Sequence, residues 1–168
     1  MSTFEKYTRK AQEIISASMQ LAQENNQTTV ENGHLLLAFC NNERYLLELL
    51  MKPKDINVDH LTQIATSIVN SYPKVTGGQI GISNSLAKTL QRAELEAKNL
   101  GDEYTSLEML LYALVVSNDA AGKVFKDQGV NKRDVLKEIE AMRKGQKVNS
   151  AQDDSSYQSL ERFAKNLN

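Results

Sequence analysis

Apolar residues recur at steps of three and four along most of the chain, and the breaks between these runs carry helix punctuation. In residues 7–22 Ala11, Ile14, Ile15, Ser18 and Ala22 form one small, apolar stripe, and Thr8 stands where it can cap a helix over residues 9–25. The polar stretch ENNQTT interrupts it. HLLLAF (34–39) and YLLELLM (45–51) read as short, very apolar helices, the second stopped by Pro53. Over 58–71, Leu61, Ile64, Ala65 and Ile68 fall at i, i+3, i+4 and i+7, one face of a fourth helix that ends before Pro73. KVTGGQIG (74–81) is a glycine-containing connection, and no segment sustains the period of two that a strand needs.

The second half repeats this order. Ser83 is the matching cap, Leu86, Leu90, Ala93 and Ala97 form the stripe of a helix over 84–99, and Gly101 follows its end. TSLEMLLYALVVS (105–117) opens with Thr105 and Glu108 at capping-box spacing, and AAGKVFKDQG and VNKRDVLKEIEAM complete the set. One constant offset lays the second half over the first: Thr8 meets Ser83, Ala22 meets Ala97 and HLLLAF meets MLLYAL. After a one-residue gap Ile56-Asn57 meets Val130-Asn131. The chain therefore reads as an internal duplication, with repeat one over 4–72 and repeat two over 82–143. Each unit is roughly 65 residues, a size at which a lone core is marginal, so the two are expected to share apolar surface as one pseudo-twofold, all-α body of about eight helices over 1–143. Such a body has a seam, and seams gather surface from both halves into grooves.

Composition adds limits. The 168 residues are 40% hydrophobic and 24% charged, with a formal net charge of −1, the profile of an ordinary globular domain. Interspersed signs argue against a nucleic-acid partner, and no apolar run approaches the roughly 20 residues that cross a bilayer, so neither nucleic acid nor membrane is an expected partner. A single cysteine and the lack of a signal pattern point to the cytoplasm. The segment 144–168 is rich in Gln, Asn, Ser and Asp over its first half, as a flexible linker is, while 157–167 has the pattern of a short amphipathic helix. Asp153 and Asp154 in it read as solvent-facing charges.

Catalytic chemistry finds no support. Cys40 and His34 lie six positions apart on one predicted helix, the wrong angle for a nucleophile and its base, and Cys40 sits in an apolar run that suits packing. His34 and His60 have no partners at metal-ligand spacing. Nothing matches G-x-x-x-x-G-K-[ST], and TGGQIG lacks the lysine and hydroxyl that hold phosphate and magnesium, so no catalytic, cofactor or metal site is expected. Thr8 and Ser83 read as helix caps and Glu108 as the carboxylate of a capping box.

YTRKAQEIISASMQLAQENNQTTVENGHLLLAF and GDEYTSLEMLLYAL resemble the two copies of the Clp N-terminal repeat domain of AAA+ unfoldases and disaggregases, over residues 4–143. The tail MRKGQKVNSAQDDSSYQSLERFAKNLN resembles the linker of the ClpB-type branch, which leads into a first ATPase module; by that resemblance the chain is expected to be a piece of a longer one. The resemblance implies a non-catalytic module that captures exposed apolar segments of unfolded or aggregated polypeptides and delivers them to an ATPase ring during stress recovery. It implies a monomeric domain within a hexameric parent, a DnaK-type chaperone system as collaborator, and ATP and magnesium only in the ATPase modules. It places Thr8, Asp102 and Glu108 on or beside a substrate groove. The alternative is the ClpC branch, whose domain reads adaptors or phosphoarginine with a hydroxyl at the Thr8 and Ser83 positions and a Glu at a fixed spacing beyond each. Ser83 has Glu108 at that spacing, but the same step from Thr8 reaches Gly33, which carries no acid, and the ClpB-like tail favours the first reading.

Overall fold

The computed structural model describes residues 4–153. Eight α-helices are found among them: α1 (Arg9–Glu24), α2 (Asn32–Asn42), α3 (Arg44–Leu50), α4 (Val58–Ser71), α5 (Asn84–Asn99), α6 (Leu107–Val115), α7 (Ala120–Asp127) and α8 (Lys132–Arg143). The short helix expected over 157–167 and Asp154 lie outside the described residues.

The internal repeat extends to single hydrogen bonds. The Thr8 hydroxyl accepts from the amide of Ala11 at 3.3 Å and the Ser83 hydroxyl from that of Leu86 at 2.9 Å, the same bond in each copy. Asn57 accepts from the amide of His60 at 3.0 Å, and Asn131 from that of Asp134 at 2.9 Å. After α1 the chain turns through a left-handed residue, Asn26 with φ 56°, and after α5 through Gly101 with φ 83°. Glycine takes that conformation freely and asparagine better than most other residues.

α2 and α6 occupy the centre. Asn32 through Cys40 and Leu107 through Val115 are all buried, the pattern of helices surrounded on every side. The surrounding contacts obey the pseudo-twofold: α1 packs on α6 as α5 packs on α2, and α4 on α7 as α8 on α3. One core thus runs through both halves, with Tyr7, Phe39 and Phe125 among its largest enclosed side chains.

Three sequence expectations need correction. A two-stranded parallel ladder pairs β1 (Thr29–Val30) with β2 (Gly81–Ile82), and Tyr7 bridges Thr105 in the same sense. Strands this short cannot show a period. α6 begins at Leu107 with Ser106 as its cap residue, so Thr105 and Glu108 form no capping box; the box lies instead on α2, between Glu31 and His34. The linker expected to hang free from 144 is laid against the body as far as it is described. Val148 is buried, its carbonyl accepts from the amide of Glu103 at 2.8 Å, and the carbonyl of Ala151 accepts from Arg9 in the first turn of α1 at 2.8 Å.

His34 joins α2 to the end of α4. The amide of Glu31 donates to its Nδ1 at 2.9 Å, so the proton sits on Nε2, which faces Gln27 Oε1 at 2.6 Å. Gln27 in turn donates to the carbonyl of Val69 at 2.8 Å. Burial lowers the His34 pKa from 6.5 to about 4, because a charged ring would be desolvated there. Between those values the unfolded chain binds a proton that the fold refuses, so stability is complete above pH 6.5 and falls as pH drops toward 4. Urea unfolding is expected to show a loss of about 3 kcal/mol from this group across that range. A His34→Gln variant should lack that part of the slope; an unchanged slope would show that the ring is not held neutral.

Candidate seam groove

The repeats meet through exchanged backbone pairings. Thr8 donates its amide to the carbonyl of Thr105 at 3.0 Å, and Thr105 donates back to Lys6 at 2.7 Å. At the other end Gly81 donates to Thr28 at 2.8 Å and Ser83 to Val30 at 3.0 Å. With Thr8 laid on Ser83, Tyr7 corresponds to Ile82 and Val30 to Thr105, so the two junctions are mates under the pseudo-twofold. Each repeat lends the residues before its first helix to the residues before the second helix of the other.

The Tyr7 junction opens into a cleft of about 630 Å³. One wall is Glu5 to Tyr7, the second is the Gln91, Glu94, Leu95 and Lys98 face of α5, and the third is the turn from Asp102 to Thr105. α5 can serve as a wall because its stripe Leu86, Leu90, Ala93 and Ala97 is buried, while Leu95, off that stripe, is 54% exposed. Only Val75 among the other large apolar side chains described is comparably open, at 48%. The Tyr104 ring is half-buried, and Lys6 Nζ stands 4.9 Å from its centre. Tyr7 is enclosed and hydrogen-bonds to Glu94; burial first, then that carboxylate, raise its pKa above the ordinary tyrosine value, so it remains a neutral donor. The cleft combines an open apolar side chain, an aromatic face and carboxylates, which suits a peptide segment.

Of the four site residues expected from sequence, Asp102 alone lines this cleft, and its carboxylate is turned away from it. Arg143 at the end of α8 reaches Asp102 at 2.8 Å, Glu108 at 2.9 Å and the Ser106 hydroxyl at 3.0 Å. Glu108 and Arg143 are buried, and Asp102 also accepts from the amide of Val148 at 3.0 Å. Thr8 is buried behind Tyr7 as a cap, and Ser83 caps α5 at the opposite junction. The structure therefore brings Asp102 and Glu108 together around a guanidinium and keeps Thr8 adjacent through Thr105, whereas Ser83 is remote. Ser83 and Glu108, which the alternative reading pairs around an arginine side chain, lie at different junctions, and the chain's own Arg143 engages the Glu108 carboxylate instead. In repeat one the matching position is Gly33, where a Cβ would lie 2.4 Å from the Tyr72 hydroxyl.

Sequence reading missed Tyr7, Glu94, Leu95 and Tyr104. Leu95 carried a usable signal, since a leucine outside its own helix stripe has no core to enter. Burial raises the Cys40 thiol to about 11, and the described residues contain no cluster of three or more His, Cys, Asp or Glu fit for a metal ion.

The Arg143 cluster and the caps differ in expected cost. Glu108→Ala leaves a buried guanidinium with one carboxylate and is expected to lower stability by about 3–5 kcal/mol in urea unfolding. Ser83→Ala, which removes one cap bond, should cost about 1 kcal/mol. Equal costs would contradict the buried ion pairing.

Residues 6–128 match the Clp repeat (R) N-terminal domain family. The chain is 31% identical over 165 residues to the chaperone protein ClpB of Bacteroides thetaiotaomicron, covering 98% of this chain and 19% of that protein. It is 30% identical to ClpB of Porphyromonas gingivalis over 96% of the chain and again 19% of the relative. Among solved structures, the Hsp104 N-terminal domain from Candida albicans superposes with a TM-score of 0.77 at 23% identity, over 90% of this chain and all of that one. A ClpV N-domain in complex with VipB peptide gives a TM-score of 0.66 at 18% identity, over 80% of this chain and 85% of that one. The chain spans about a fifth of the length of the ClpB chaperones that it matches. With eight helices among its described residues, two copies of one unit and the matched stretch, it belongs to the Clp repeat N-terminal domain family.

Proposed function

We propose that this chain is the non-catalytic, substrate-engaging module of an ATP-driven ClpB-type disaggregase, and that it captures apolar segments of unfolded or aggregated proteins in the seam cleft. The observation that carries this reading is Leu95, more than half exposed beside Tyr104 in a cleft built by both repeats. The family match and the ClpB relatives support it, as does a related N-domain that was solved with a bound peptide. The parent is then a hexameric, cytoplasmic ATPase that receives segments from this module and works with a DnaK-type chaperone system. ATP and magnesium belong to modules beyond this stretch.

In this reading Thr8 and Glu108 act on substrate indirectly. Thr8 fixes the backbone that carries Tyr7, and Glu108 fixes Arg143 and through it Asp102, at the start of the cleft's third wall. They position the groove rather than touch its occupant. Peptide contact falls to Leu95, Tyr104, Glu94 and Lys98.

Titration of the chain with a reduced, denatured model protein in a calorimeter tests this. Burial of Leu95 and Tyr104 should give a negative heat-capacity change and weak dependence on salt. Leu95→Asp places a charge on an exposed site, so folding should survive, and affinity should fall about tenfold or more, the worth of one buried leucine. A Leu95→Asp variant that binds like the parent would refute the assignment of the cleft.

A further inference from the structure

α5 has a third face. Its stripe enters the core and Leu95 faces the seam cleft, while Ser85, Lys88, Thr89 and Arg92 look onto a second groove on the far side. That groove consists of two adjoining clefts of about 280 and 360 Å³, joined through Arg92, Val116 and Asn118. The first runs between α5 and the turn before α7; the second continues to the start of α8.

The charge along it is one-sided. Lys88, Arg92, Lys126 and Lys132 line it against a single lining carboxylate, Asp119; Arg92 is held by Glu96, which leaves three exposed lysines in a chain whose net charge is −1. Asp119 is already engaged: it caps α7 by accepting from Ala121 at 3.2 Å and accepts from Asn32 Nδ2 at 2.7 Å. Two nearby acids are also engaged, Glu96 with Arg92 at 2.8 Å and Asp134 with Asn131 at 3.0 Å. Lys126 donates to the carbonyl of Ser117 at 3.3 Å, and the three lysines are exposed. Elsewhere cations near acids pair: Arg44 with Asp59 and Glu48, and Arg143 with Asp102 and Glu108. The lining beside the cations is aliphatic: Val116 is half-buried, over the buried Val115 and Val130.

We propose that this groove binds an acidic, extended peptide segment of a partner protein. Carboxylates on the segment meet the three exposed lysines, and an aliphatic side chain between them rests on Val116. A nucleic acid fits less well. Neither cleft presents an aromatic side chain on which a base could stack. Because the lysines are exposed, binding is weak and sensitive to salt. This surface is separate from the seam cleft, on another side of the same helix.

Fluorescence anisotropy with a labelled peptide of alternating glutamate and valine tests the proposal on the whole chain. Its comparisons are the same peptide with lysine in place of glutamate and a single-stranded oligothymidine of equal charge. The acidic peptide should give saturable binding that weakens about tenfold or more between roughly 50 and 300 mM salt. Lys126→Glu with Lys132→Glu should weaken it by a similar factor. That double variant should still capture denatured protein as the parent does, since neither lysine lines the seam cleft. A lowered unfolding temperature would require Lys126→Gln with Lys132→Gln instead, for which a smaller loss in the same direction is expected. The proposal fails if the acidic peptide does not saturate, if the lysine peptide binds equally, or if the charge variants leave binding unchanged. It also fails if the oligonucleotide binds more tightly than the peptide, which would mark a general polyanion surface.

Discussion

Everything in this domain depends on two short backbone pairings that cross between the repeats. The residues before α1 pair with those before α6, and the residues before α5 pair with those before α2. Neither repeat contains its own partner for these amides and carbonyls, and buried backbone groups without partners are costly. The same exchange sets α2 and α6 side by side. Both are buried on every side, from Asn32 to Cys40 and from Leu107 to Val115, so each needs cover from helices of both copies. A unit of roughly 65 residues has too little core to stand well alone, and here the shared centre and the crossed pairings remove the need.

The pseudo-twofold scaffold carries unlike chemistry at matching places. Just after the first helix of each copy a polar side chain reaches the end of the fourth: Gln27 holds the carbonyl of Val69, and Asp102 holds Arg143. The first clamp is neutral and closes through His34; the second is ionic and closes through Glu108 and Ser106. Gly33 fits the first because the Tyr72 hydroxyl leaves no room for a Cβ, whereas Glu108 fits the second because a guanidinium needs its charge. The seam cleft is asymmetric in the same way. With the copies aligned at Thr8 and Ser83, Leu95 corresponds to Gln20 and Tyr104 to Thr29, so the second junction lacks both its leucine and its aromatic face.

The local part of this architecture was legible in the sequence. Thr8, Ser83, Asn57 and Asn131 each bond to an amide three positions ahead, and apolar stripes such as Leu86-Leu90-Ala93-Ala97 need only the helical period. What was illegible depends on distance along the chain. The spacing of Thr105 and Glu108 imitates a capping box, but Ser106 takes the cap position and Glu108 turns to Arg143, far along the chain at the end of α8. No local pattern announces that ion pair. Polar composition suggested a free tether from 144, yet Val148 is a single apolar residue that finds a site between Asp102 and Tyr104, and one buried side chain with backbone bonds on both sides is enough to hold it. The groove residues were missed because Tyr7 and Leu95 share a wall only after the repeats have crossed.

Native-state hydrogen exchange at the junction amides measures that crossing most directly. Thr8 and Thr105 at one junction and Gly81 and Ser83 at the other each donate across the seam. If the pairings fuse the two copies, these amides should exchange only through global opening, with the same free energy as the central amides of α2 and α6 and the same dependence on urea. Junction amides that exchange freely while one repeat remains protected, or two repeats that open at well-separated urea concentrations, would show that the halves are joined by contact alone and would contradict the account.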